Sequence, residues 1–116
     1  MSESISHRVV VGDLAFPEGP VALRDGSVLV VEIRDASLTR VLPDGSRKTV
    51  ARWAGPDRAG PNGAAIGPDG ACYICNNGGF AWSPLGDHMV PADLSTGATQ
   101  PDAYVTGSID RVDLER

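Results

Sequence analysis

At 116 residues the chain has the length of one small domain, and its 15 acidic against 10 basic residues give a net charge of −5. No basic cluster interrupts that balance, so nucleic acid and anionic membranes are excluded as expected partners, while a modest acidic surplus suits either a divalent cation or plain solubility. The longest unbroken aliphatic run, Val28 to Val31, falls far short of a membrane span, and 14 glycines with 9 prolines argue against helices.

Met1 to Ser6 is a polar start expected to fray, and no basic stretch followed by an apolar core precedes Val9. No secretory signal is therefore expected, and the cytoplasm is the expected compartment. Arg8 to Val11 predicts an edge strand. Four further strands follow, at Pro20 to Leu23, Val28 to Ile33, Leu38 to Leu42 and Lys48 to Trp53, with Asp25-Gly26 and Asp44-Gly45 as turns in which glycine supplies the positive φ. Ala54 to Pro61 reads as a rigid connector without a strand.

Beyond the connector the chain repeats itself. Glu18 to Gly26 lines up without a gap on Asn62 to Gly70, and the apolar run after the first Asp-Gly turn, Ser27 to Ile33, is matched by Ala71 to Asn76 after the turn at Asp69-Gly70. Ser37 to Val41 resembles Ser108 to Val112, which the second copy reaches only after an insertion from about Asn77 to Gly107. A period of about 40 to 50 residues built from short strands is the signature of a β-propeller blade. The expected fold is thus all-β and of β-propeller type. Blade one covers about 15–54, and an incomplete blade two covers about 62–116 with the inserted loop 77–107. Blades bury their faces against neighbouring blades, so fewer than two of them leave apolar faces bare. The expectation is a part of a larger propeller, cut short or completed by other copies through self-association at open blade edges.

Cys72 and Cys75 form a C-x-x-C, but on a strand residues three apart point to opposite faces. They are not expected to share a metal or close a disulfide, and both read as buried small hydrophobes.

In a propeller the first strand of each blade lines the central channel, so Glu18 and Asn62 are expected at the same height on the axis. The prolines at 17 and 20 stiffen the backbone around Glu18, and Gly19 removes bulk beside it. A rigid carboxylate and an amide oxygen are donors that calcium accepts, although a loop Glu and Asn are more often solvated or turn-forming. The insertion reads either as a lid whose Phe80 and Trp82 wall a substrate, with Asn76 or Asn77 in polar contact, or as a mobile loop with an aromatic anchor. His88 lies in it without a nucleophile motif nearby, so a solvated histidine is expected.

Phe16-Pro17-Glu18-Gly19-Pro20, Gly60-Pro61-Asn62-Gly63 with Pro68-Asp69-Gly70 and Tyr73, and Gly107-Ser108-Ile109-Asp110-Arg111-Val112-Asp113 together resemble the opening of the gluconolactonase family, which includes senescence marker protein (regucalcin) and luciferin-regenerating enzyme. The resemblance implies a six-bladed propeller with one divalent cation, commonly calcium, that hydrolyses sugar lactones or related esters. It implies Glu18 as the first metal ligand and Asn62 as a channel-lining position that contacts substrate or metal-bound water; Asn76, Phe80 and Trp82 stand as further substrate-binding candidates on the lid reading of the insertion. The family's remaining ligands and general base come from later blades, so no catalytic residue is expected within this chain. The competing expectation is a non-catalytic truncated propeller or a binding scaffold, and a strictosidine-synthase-like propeller is a third.

Overall fold

The computed structural model describes residues 5–114; the expected polar start thus falls partly outside the described residues, as does the end of the second repeat. The chain is all-β. Among the described residues there is no helix, and hence none long and apolar enough to cross a membrane.

The first sheet is an antiparallel meander of β1 (Pro17–Ala22), β2 (Val28–Glu32), β3 (Ser37–Val41) and β4 (Arg47–Arg52), paired in that order. β1 begins earlier than expected because Pro17 and Glu18 already oppose Glu32 and Val31, ahead of a bulge between Glu18 and Val21. Prolines are tolerated there because β1 is an edge strand and need not donate to a ladder on its outer side. The second sheet pairs β5 (Pro61–Ile66), β6 (Cys72–Asn76) and β9 (Ser108–Val112), and β5 lies against β1 and β2.

The insertion leaves the second sheet between β6 and β9. Within it the chain forms a hairpin, β7 (Ser83–Leu85) and β8 (His88–Val90), which the sequence reading left as loop. Its turn is Gly86-Asp87, with Gly86 at φ 61°, and a Gly-Asp pair between apolar residues is the signal that identifies it.

The repeat is visible as repeated hydrogen bonding. In each of three turns, Leu23 to Ser27, Leu42 to Ser46 and Gly67 to Ala71, the first N–H donates to the last carbonyl and the turn glycine's N–H donates back to the first carbonyl. The glycines at 26, 45 and 70 hold φ between 82° and 89°. The carboxylates of Asp25 and Asp69 then accept from third-strand arginines at equivalent positions, Arg40 at 2.5 Å and Arg111 at 3.1 Å.

The core lies between the two sheets: Leu29, Val31, Ile33 and Leu38 meet Cys72 and Ile74. Full burial of each aliphatic side chain contributes about 1.5–3 kcal/mol. β2 is buried on its other face as well, where Val30 and Glu32 sit with Ser37, Thr39 and Val41. The segment before β1 crosses that side, with Arg47 donating to the carbonyls of Gly12 and Asp13 and the Ala15 N–H donating to Glu32. Double-sided burial explains why Val28 to Val31 is a continuous apolar run and not an alternating one.

Two expectations are corrected. Arg8 to Val11 is in no strand, with Arg8, Val9 and Val10 exposed and Val11 half-buried; a strand needs a ladder partner, and where the chain next meets β4, at Gly12 and Asp13, its carbonyls accept from the Arg47 guanidinium instead of from backbone. Cys72 is buried, but Cys75 is exposed. Cys75 shares the outer face of the second sheet with Gly63 and Ile109, and Ile109 is 67% exposed, so nothing among the described residues covers that face.

Candidate functional site

Alternation of strand direction gathers the candidate residues on one rim. β1 and β5 start there, β2 and β6 end there, and the insertion springs from it. Gly19 sets the distance between the two starting strands. A methyl group on Gly19 would lie 3.1 Å from the carbonyl oxygen of Asn62 and 3.1 Å from the N–H nitrogen of Ala64, and its φ is 56°. Only glycine accommodates both demands, and its presence brings the backbone bearing Glu18 against the backbone bearing Asn62.

Glu18 is exposed, and one of its carboxylate oxygens accepts the N–H of Gly19 at 2.9 Å. The half-buried Asn62 has no side-chain hydrogen bond among the described residues. Phe16, just ahead of Glu18, holds φ 60°, a left-handed conformation that is costly for a bulky residue and characteristic of functional loops. It is held by the Ile33 N–H donating to its carbonyl at 3.1 Å and by edge-to-face packing on Trp82, with ring centroids 5.4 Å apart.

Equivalent polar clamps fix the start of each sheet. At the end of β2, Glu32 accepts from the Ala15 N–H at 2.9 Å and from the Thr39 hydroxyl. At the end of β6, Asn76 accepts from the N–H groups of Gly60 and Gly78, each at 2.9 Å, and its amide donates to Asp110 at 3.0 Å. Asp110 also accepts from the Trp53 indole at 2.8 Å and the Ser108 hydroxyl at 2.7 Å. Partial burial pushes the Asp110 carboxyl upward, but the hydrogen bonds from Ser108, Asn76 and Trp53 outweigh it and hold the group below the usual carboxylate range. Glu32 and Thr39 in one repeat thus correspond to Asn76 and Asp110 in the other, and each pair anchors the segment leading to Glu18 or to Asn62.

Phe80 and Trp82 pack edge-to-face at 5.8 Å and lean on the core. Phe80 also sits against Gly60, where an added methyl would come within 2.8 Å of its ring. The insertion is therefore fastened to the starts of both β1 and β5. Within this cluster the Trp82 indole N–H is buried without a partner among the described residues. His88 is exposed.

Of the residues singled out from sequence, Glu18 and Asn62 lie on adjoining strands, Phe80 and Trp82 join Phe16 in an aromatic cluster on the same rim, and the Asn76 amide is committed to holding the chain. Phe16, Glu32, Thr39, Trp53 and Asp110 were not among the candidate site residues, although Phe16 and Asp110 lie in the motifs that carry the resemblance. The repeat carried the signal for two of them, since Glu32 occupies the position of Asn76 and Thr39 that of Asp110.

Among the described residues no group of three or more His, Cys, Asp or Glu is arranged to hold a metal ion. The two carboxylate oxygens of Glu18 and the amide oxygen of Asn62 fall short of the six to eight oxygens, roughly, that calcium takes. They fit one side of a cation site and not a whole one. No family model matches this chain, and a comparison with curated proteins finds no match either.

Proposed function

We propose that this chain forms the opening of a β-propeller of gluconolactonase type, a divalent-cation-dependent, calcium-using hydrolase of sugar lactones or related esters. The observation that carries the reading is the close approach at Gly19, which sets Glu18 and Asn62 on adjoining strand starts. A four-stranded meander followed by a second sheet with the same turns and the same clamp supports the propeller. In this reading Glu18 is a cation ligand and Asn62 hydrogen-bonds the substrate, while Phe80 and Trp82 frame the rim and Asn76 sets the strand bearing Asn62. No general base is assigned within the described residues.

Native mass spectrometry with and without calcium, followed by a gluconolactone hydrolysis assay on the same sample, tests it. Since Glu18 and Asn62 cannot satisfy calcium alone, assembled species are expected to retain calcium and hydrolyse lactone, and Glu18→Gln is expected to remove both. A wild-type sample that neither retains calcium nor hydrolyses lactone overturns the enzyme reading for this chain. A second reading, a non-catalytic scaffold that assembles through its bare sheet face, is favoured by the exposed Ile109 and Cys75 on β9 and β6. Assembly without hydrolysis would select it.

A further inference from the structure

A groove of about 550 Å³ opens on the same rim, between the segment leading into β1 and the inserted hairpin, a volume in the range of small-molecule sites. Leu14 and Phe16 line it from the first side, and Leu85, Met89 and Val90 from the hairpin. Arg34, on the connection from β2 to β3, reaches the same groove. The backbone there is fixed, since the Arg34 N–H donates to the Ala15 carbonyl at 3.2 Å. Its guanidinium has no ion pair or hydrogen bond among the described residues. Asp87 and His88 complete the lining at the hairpin turn, and Asp87 forms no ion pair with Arg34.

We propose that this groove binds an unbranched aliphatic carboxylate, with the alkyl chain along the apolar residues and the carboxylate on Arg34. A guanidinium presents paired N–H donors that match the two oxygens of a carboxylate, and an apolar surround strengthens that contact. A polyhydroxylated ligand would leave hydroxyls unpaired against Leu14, Phe16 and Met89, which costs binding. Asp87 opposes an anion from the hairpin tip and weakens the site without abolishing it. The inference goes beyond the hydrolase reading and does not depend on it, because it uses neither Glu18 nor a cation.

Trp82 touches the Phe16 ring and so reports on the groove. The test titrates sodium octanoate and sodium decanoate, below micelle formation, against the full chain by tryptophan fluorescence, with decanol and decyltrimethylammonium in parallel. Saturable binding of decanoate is expected, each added methylene tightening it about two- to fourfold. Arg34→Gln is expected to weaken decanoate roughly tenfold and leave decanol unchanged, since it removes only a charge-assisted contact. Asp87→Asn is expected to tighten decanoate by about twofold. Arg34 and Asp87 are both on exposed connections, so their variants read binding without disturbing the core. No saturable response to decanoate overturns the proposal. So does equal binding of all three ten-carbon amphiphiles with no effect of Arg34→Gln, which would mean an unselective apolar surface.

Discussion

Replacing Asp110 by alanine isolates the clamp that joins the end of the first sheet to the root of the insertion. The substitution leaves the Trp53 indole N–H and the Asn76 amide without their acceptor and removes the contact from Ser108. A buried hydrogen bond to a charged group contributes about 1.5–3 kcal/mol. Trp53 and Asn76 are half-buried and Ser108 is exposed, so about 1 kcal/mol for each of the first two and little for the third gives a loss of about 2 kcal/mol. For a chain of this size that corresponds to a fall of about 8 °C in Tm, measured by near-UV circular dichroism with Trp53 as the reporter. Asp110→Asn keeps an acceptor and is expected to lose about half as much. The Asp110 carboxyl is held below its usual range, so its contribution is complete above the unfolded carboxylate value and is lost as pH falls through the lower folded value. Wild type and Asp110→Ala should therefore converge in acid. A variant with unchanged Tm at neutral pH, or a difference that persists undiminished in acid, would refute the clamp.

The equivalent clamp in the first sheet gives a matched prediction: Thr39→Val leaves the buried Glu32 one donor short and should cost about 2 kcal/mol, whereas Thr39→Ser should restore most of it; equal Tm values for the two variants would contradict this. Asp25 is held at about 2, first by the Ser27 hydroxyl, then by the Ser27 N–H and by Arg40, and Asp69 likewise by the Tyr73 hydroxyl, the Ala71 N–H and Arg111. Both lowered groups favour the fold above the unfolded value of 3.8 and lose that effect as pH falls toward about 2, so the double variant Asp25→Asn, Asp69→Asn should show a flatter stability profile across that interval in pH-dependent denaturant titrations. Iodoacetamide followed by mass spectrometry should label the exposed Cys75 in the folded protein and reach Cys72 only on unfolding; equal labelling of both thiols in the native state would show that the core between the sheets is open.

Much of the architecture was legible because it depends on local rules applied twice. Asp-Gly turns between apolar runs give antiparallel neighbours, and the match of Glu18 to Gly26 with Asn62 to Gly70 reproduces at both places the same turn geometry. β9 could be found across a long insertion because Ser108 to Val112 repeats Ser37 to Val41. The hairpin at Ser83–Leu85 and His88–Val90 was missed although its Gly-Asp turn was present, since Pro84 within a three-residue strand masks the alternation.

What the amino-acid order determined by itself was the all-β class, the places of the principal turns and the pairing of Glu18 with Asn62 as equivalent positions. Which face of each strand is covered was decided by tertiary structure alone. Cys72 and Cys75 are the same residue type on one strand, yet one meets Leu29 and Val31 in the core and the other meets no cover among the described residues. The uses of Asn76 and Asp110 were likewise invisible, because Gly60 reaches Asn76 only once β5 pairs with β6, and Trp53 reaches Asp110 only once the two sheets are packed. Strand periodicity is a property of neighbouring residues, whereas burial and hydrogen-bond satisfaction depend on groups far apart in the chain.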